Sequence, residues 1–252
     1  MEDTILSVKD LQLGYGDFVL QSNLNFEIRR GDIFFIMGGS GCGKSTLLKS
    51  LIGLNKPLAG QVFHNGCDFW NSDEETQAEI MRNFGMLYQT GALWSSMTLI
   101  ENVSLPLREY SKLNENEIKE MAQLKLALVG LAGFEDFYPS DISGGMKKRA
   151  ALARAMALDP QLLFLDEPSA GLDPITSRLL DDLIVALQQS FGITIVIVSH
   201  ELPSILSIGT NSVFLDNRLR TMTAQGAPQK LLEECENESV RAFLSRGEKG
   251  LE

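Results

Sequence analysis

The chain has 252 residues, 44% of them hydrophobic, and a formal net charge of −11. That length holds one sizeable core, or a core with a small added lobe. The acidic balance argues against long-range attraction to DNA or RNA and against adhesion to a bare anionic membrane, so work at a membrane requires a protein partner that holds the chain there.

In chain order, ILSVKDLQLGYG and VLQSNLNFEI alternate in hydrophobicity and predict two strands with one buried face each. The start, MEDTILSVKD, lacks a basic stretch followed by an apolar one, so no secretion signal is expected and the cytoplasm is the expected compartment. DIFFIMG predicts a buried strand, followed by a Gly-rich turn and the helix KSTLLKSLIGL, ending near Gly53. GQVFHNG reads as a short strand and turn, which makes His64 an ordinary surface histidine rather than a metal ligand. DEETQAEIMRNF predicts a helix and GMLYQ a short strand. From about 98 to 135 the pattern is helical, with capping boxes at TLIE (98–101) and NENE (114–117). PQLLFLDEP, ITSRLLDDLIVALQQSF and ITIVIVSH restore strand–helix–strand order. Two short strands, NSVFLD and RLRTMTA, and two acidic helical stretches close the chain. The richest apolar runs, IFFIM (33–37) and ITIVIV (193–198), have strand length, far below the roughly 18 residues that cross a bilayer. The expected class is therefore α/β, with a mainly parallel sheet covered on both faces, an N-terminal antiparallel sheet and an inserted helical lobe at roughly 90–157. Three cysteines, Cys42, Cys67 and Cys235, without a CxxC pair argue against a disulfide framework or a zinc site.

GGSGCGKS fits G-x-x-x-x-G-K-[ST], with Gly38, Gly43, Lys44 and Ser45 at the fixed positions. An apolar strand precedes it and a helix follows, as phosphate binding requires. Main-chain N–H groups of Gly39, Ser40, Gly41, Cys42 and Gly43 can curl around phosphate oxygens, and the helix N-terminus at Lys44–Thr46 adds partial positive charge. Lys44 is expected on the β- and γ-phosphates and Ser45 on Mg²⁺. LLFLDE (162–167) supplies the complement: Asp166 for Mg²⁺ and Glu167 as general base for an attacking water. The chain is thus expected to bind and hydrolyse a nucleoside triphosphate. Cys42, inside the loop, is expected to be alkylated with loss of hydrolysis, and bound nucleotide to protect it.

ISGGM (142–146) is a second anion-binding turn: Ser143 is a good N-cap, and Gly144 and Gly145 expose N–H groups. The helical lobe carries this turn away from Lys44. Two copies facing head to tail, each Ser143 turn closing over the nucleotide of the other, would use both. The run Lys147–Arg149 that follows reads as a solvated helix face.

With these motifs in place the chain resembles the nucleotide-binding subunit of an ATP-binding cassette (ABC) transporter over about residues 5–245. The resemblance implies a RecA-like core with an antiparallel β subdomain, approximately 1–89 and 158–252, and a helical subdomain at 90–157, in a single domain. It implies Tyr15 as the aromatic that stacks on adenine, though a plain turn tyrosine remains an alternative. It implies Gln89 as the glutamine that senses Mg²⁺ and links to the membrane subunit. SAGLD is similar to the loop whose Asp173 crosses the dimer interface. His200 matches the switch histidine on the γ-phosphate, with a capped core histidine as the alternative. Ile142 stands for the usual Leu of the signature, Met146 for the usual Gln, and Arg149 matches a recurrent arginine. The implied cofactors are ATP and Mg²⁺.

QTGALWSSMTLIENVSLPLRE (89–109), SGGMKKRAALARAMALDP and SHELPSILSIG resemble the ATPases of mammalian-cell-entry (MCE) transporters, which include the bacterial maintenance-of-lipid-asymmetry system. That resemblance implies a homodimer under integral permease subunits, at the cytoplasmic face of the bacterial inner membrane. It also implies a periplasmic MCE protein that carries phospholipid, and no nucleic acid. The alternatives are the ATPase of an amino-acid importer or a lipoprotein-release system, or a soluble ABC ATPase. Trp94 either enters a groove for a permease helix or packs the helical lobe. Val240, Phe243 and Leu244 form a small apolar stripe that offers little to a neighbouring subunit.

Overall fold

The first two strands, β1 (Thr4–Tyr15) and β2 (Phe18–Arg29), form an antiparallel hairpin in which Tyr15 pairs with Phe18. In this computed structural model, which describes residues 3–245, β4 (Ala59–His64) adds to β1 and β5 (Cys67–Asp68) to β4. The β4–β5 turn is Asn65–Gly66, both at positive φ, the geometry an Asn-Gly hairpin favours. The expected surface position of His64 is corrected here. Val62 and His64 share the inward face of β4, and His64 is 5% exposed, with its ring 5.8 Å from those of Phe69 and Phe84.

The second sheet contains β3 (Ile33–Gly38), β6 (Phe84–Leu87), β7 (Leu162–Asp166), β8 (Thr194–Val198), β9 (Asn211–Asp216) and β10 (Thr221–Gln225), in the order β10-β9-β3-β8-β7-β6. All its pairs are parallel except β9–β10. Buried on both faces, β3 sends Phe34 and Ile36 into a core shared with the antiparallel sheet, while Ile33, Phe35 and Met37 join a core shared with the helices. Each such side chain contributes roughly 1.5–3 kcal/mol by leaving water.

Helix α1 (Lys44–Leu51) follows β3, and α2 (Glu74–Arg82), capped by Asp73, precedes β6. Then α3 (Leu99–Tyr110), α4 (Glu115–Leu128) and α5 (Gly144–Ala155) pack on one another. The two capping boxes form as the sequence predicts, Thr98 with Glu101 and Asn114 with Glu117. Helix α6 (Pro174–Phe191) joins β7 to β8, and α7 (Leu202–Ile208) joins β8 to β9. The terminal helices are α8 (Pro228–Glu234) and α9 (Glu238–Leu244). The apolar stripe of α9 is used within the chain: Val240 and Leu244 are fully buried, and Phe243 lies edge-on to Phe214 at 5.3 Å. The expected tail beyond residue 245 lies outside the described residues. Among the described residues no helix is long and apolar enough to cross a membrane.

Candidate active site

Four neighbouring strands, β3, β8, β7 and β6, deliver their carboxyl ends to one edge of the parallel sheet, the place where open α/β sheets bind ligands. A cleft of 610 Å³ opens there, lined by the 38–46 loop, Gln89, Glu167 and His200, together with Leu20, Leu202 and Phe243. The loop needs its glycines for different reasons. A Cβ on Gly38, at φ 148°, would stand 2.5 Å from the Leu215 carbonyl oxygen, whereas one on Gly39 or Gly41 would meet nothing within 4 Å. The main chain at 39 and 41 is therefore bare toward the cleft. Gly43, at φ 99°, caps α1, whose first residue folds back over the loop: Lys44 Nζ donates to the oxygens of Gly38 (2.9 Å) and Gly39 (3.1 Å). The buried Gln21 holds the loop from behind, donating to the Cys42 oxygen at 2.8 Å and the Asp216 oxygen at 3.1 Å.

The expectation for Cys42 is corrected. Its side chain points into the core beneath the loop and is fully buried, and burial raises its thiol above the ordinary cysteine value despite the nearby Lys44. Such a thiol is a poor nucleophile. Only its main chain can serve the cleft.

Asp166 ends β7. Burial, with Glu167 adjoining, raises its carboxyl above the usual range, while Lys49, Lys148 and Lys44 act in the opposite sense. Glu167 holds a left-handed main chain at φ 46°. Its N–H donates to the Val198 oxygen (2.8 Å), and its Oε1 is 2.8 Å from His200 Nδ1. Asp166 Oδ1 and Glu167 Oε2 are buried without a partner. Orphaned carboxylate oxygens of this kind cost roughly 1–3 kcal/mol each or more, and a bound cation with its water would relieve them. Asp166, the Ser45 hydroxyl and the Gln89 amide could offer oxygen donors only, the ligand chemistry that Mg²⁺ takes.

Other expected site residues lie elsewhere on the chain. Ser143 caps α5, accepting from Met146 N (3.3 Å), with Gly144 and Gly145 in the first turn. Asp173 caps α6, accepting from the N–H groups of Ile175 and Thr176 and from the Thr176 hydroxyl. Neither turn lines the cleft of its own chain. Tyr15, 56% exposed, places its hydroxyl 3.2 Å from Thr46 Oγ1 at the start of α1.

The basic run of α5 is also corrected. Lys148 is 6% exposed and donates to the main-chain oxygens of Gln89 and Glu167, while Arg149 donates to those of Val129 (2.9 Å) and Gly130 (3.0 Å), closing the end of α4. Sequence reasoning missed Lys148 because it judged the run by charge. Helical spacing was the available signal: Gly145, Lys148 and Leu152 are three and four apart on one buried stripe.

The model of the family described as ABC transporter matches residues 21–170. The chain belongs to this family. It is 39% identical over 233 residues to the intermembrane phospholipid transport system ATP-binding protein MlaF of Haemophilus influenzae, covering 92% of this chain and 88% of that one. It is also 39% identical over 240 residues to a probable ribonucleotide transport ATP-binding protein of Mycobacterium leprae, covering 95% of this chain and 68% of that one. Among solved structures, a dimeric ATP-binding cassette in a post-hydrolysis state with ADP and Pi superposes with a TM-score of 0.78. It is 28% identical, over 88% of this chain and 98% of that one. As an ABC ATPase the chain binds and hydrolyses ATP.

Proposed function

We propose that the chain is the ATP-hydrolysing subunit of a phospholipid transporter, working as a head-to-tail dimer beneath integral permease subunits at the cytoplasmic face of a bacterial inner membrane. The observation that carries the dimer is the separation of two phosphate-binding turns: the cleft holds the Lys44 loop, while the Ser143 turn lies outside it on the same chain. A second copy supplies the missing wall. Lys44, Ser45, Thr46 and the main-chain N–H groups of 39–43, bare at Gly39 and Gly41, bind the phosphates from one side. Ser143, Gly144, Gly145 and Asp173 of the other copy close the opposite side, and Tyr15 stacks on adenine.

Mg²⁺, held by Ser45, Asp166 and Gln89, neutralises phosphate charge when bound. Glu167 takes the proton of the attacking water on Oε2, its partnerless oxygen, and His200, whose Nδ1 lies on Oε1 here, turns its N–H to the developing γ-phosphate charge when nucleotide is bound. The permease helix is received by a groove of 490 Å³ between β6 and α3, with Met81, Tyr88, Pro106 and Tyr110 in its wall and Trp94, 57% exposed, in the loop leading to α3. An MCE protein carrying lipid on the far side completes the system. The similarity to the Haemophilus phospholipid protein supports the lipid reading, and the mycobacterial relative favours ribonucleotide transport as the second.

Two experiments test this. Glu167→Gln with saturating ATP should sediment as a dimer, and a monomer under those conditions removes the head-to-tail arrangement. Affinity purification of the chain from its native membranes, with mass spectrometry, should recover a multi-span permease, an MCE protein and phospholipid. A permease with bound ribonucleotide and no lipid would move the function to the second reading.

A further inference from the structure

Lys148 sits on α5, five residues beyond the Ser143 cap. No carboxylate of the described residues lies within 4.0 Å of its ammonium. The ammonium instead donates to two main-chain oxygens, those of Gln89 and, at 3.2 Å, of Glu167. Gln89 follows β6 and Glu167 follows β7, so one side chain on a helix ties together the exits of two neighbouring strands.

The tie meets Glu167 where its main chain is strained. A glutamate at φ 46° persists only where its surroundings over-determine it. Here the N–H is held by the Val198 oxygen, and the C=O by Lys148 together with the Ala170 N–H (3.2 Å), so the peptide groups on both sides of the Glu167 Cα are fixed. That clamp sets where the side chain leaves the main chain, and His200 Nδ1, 2.8 Å from Oε1, sets the carboxylate itself. Simple compensation of the Asp166 and Glu167 charges would need only proximity. Directed bonds to two carbonyls add orientation to the attraction between Lys148 and the two carboxylates.

We propose that Lys148 is a positioning residue for ATP hydrolysis, fixing from the Ser143-capped helix the main chain of both Glu167 and Gln89 so that the carboxylate and the amide meet in one cleft. The inference rests on Glu167 being the base, as proposed above. Helix α5 then serves two clefts: its N-terminus faces the other copy, while its Lys148 sets the geometry of its own chain's cleft.

The test uses the full chain and the variants Lys148→Met, which removes the donors, and Lys148→Arg, which keeps charge and donors, with Glu167→Gln alongside. Misplacing a catalytic group by about 1 Å costs on the order of 10²-fold in rate. Lys148→Met should therefore lower kcat by about 10–100-fold, while KM for ATP and the Kd of a non-hydrolysable ATP analogue stay within about 3-fold. In the nucleotide-free chain, amide exchange over residues 164–170 should speed up. Lys148→Arg should recover most of kcat and of the protection. Wild-type kcat in Lys148→Met, or a loss of kcat matched by an equal loss of analogue affinity with exchange over 164–170 unchanged, overturns the proposal. Should Lys148→Met not fold, Lys148→Gln, whose shorter amide reaches one carbonyl at most, is measured the same way, and wild-type kcat and exchange there overturn it equally. An inactive Glu167→Gln beside a fully active Lys148→Met removes the positioning role and leaves Glu167 as base. A fully active Glu167→Gln removes both.

Discussion

Acidification should reveal His64. Its ring is 5% exposed between Phe69 and Phe84, and burial lowers its pKa from 6.5 to about 4, although its Nε2–H donates to the Leu51 oxygen at 2.8 Å. Well above pH 6.5 the imidazole is neutral in both folded and unfolded chains and contributes no pH dependence. Between pH 6.5 and about 4 the unfolded chain takes up a proton that the folded chain refuses, so stability falls by up to about 1.4 kcal/mol per pH unit. The loss reaches about 2 kcal/mol at pH 5 and saturates near 3.4 kcal/mol below pH 4. Urea unfolding at pH 8 and pH 5, followed by circular dichroism, measures it against His64→Gln, which can still donate to Leu51 but does not titrate. Carboxylates titrate in both proteins, so the difference isolates the histidine. Between pH 8 and pH 5 the wild type should lose about 2 kcal/mol more than the variant. Equal losses in the two proteins would refute the buried neutral imidazole.

Three further outcomes concern side chains whose surroundings are fixed by packing. Asn102 is fully buried; its amide donates to the oxygens of Trp94, Met97 and Thr98 and accepts from Trp94 N, so it holds the loop that leads from Gln89 to α3. Asn102→Ala should cost about 2–3 kcal/mol, or a fall of roughly 4–12 °C in Tm, and an unchanged Tm would refute the role. Thiol labelling of the native chain, read by peptide mass spectrometry, should modify the half-buried Cys67 and Cys235 well before Cys42, with or without ATP; early labelling of Cys42 contradicts its placement. Gly145→Ala would set a Cβ 2.5 Å from Thr176 Cγ2 and should cost about 1–3 kcal/mol in thermal unfolding. Adding Thr176→Ser, which removes that methyl and keeps the hydroxyl on Asp173, should restore most of it.

The parts of the fold that sequence could reveal were those with a local physical cause. Alternation exposed β1 and β2, an unbroken apolar run exposed β3, and side-chain caps exposed the starts of α3 and α4. The placement of the glycine-rich 38–43 loop between β3 and α1, and of the Asp166–Glu167 pair at the end of β7, was legible because the flanking apolar strands and the helix have local signatures. What failed depended on direction. The Asn65–Gly66 turn suggested an exposed His64, but the two-residue period from Val62 carries it inward. Cys42 lies in the loop by sequence and in the core by side chain, because glycines at positive φ on either side turn the main chain between them. Lys148 looked solvated by composition, and only the helical period shows which way it points.

The sheet order has a consequence for synthesis of the chain. Strand β3, which leads into the glycine-rich 38–43 loop, has β8 and β9 as its two partners, and these span residues 194–216. At ribosomal rates of about 5–20 residues per second, the ribosome needs about 10–40 s after making residue 38 to supply them. Through that interval IFFIM, apolar on both faces, has neither edge paired and is a ready template for another chain. The nascent polypeptide thus makes this apolar strand early and pairs it late, so the interval before residue 216 is made is the one in which the chain is most open to pairing with another through β3.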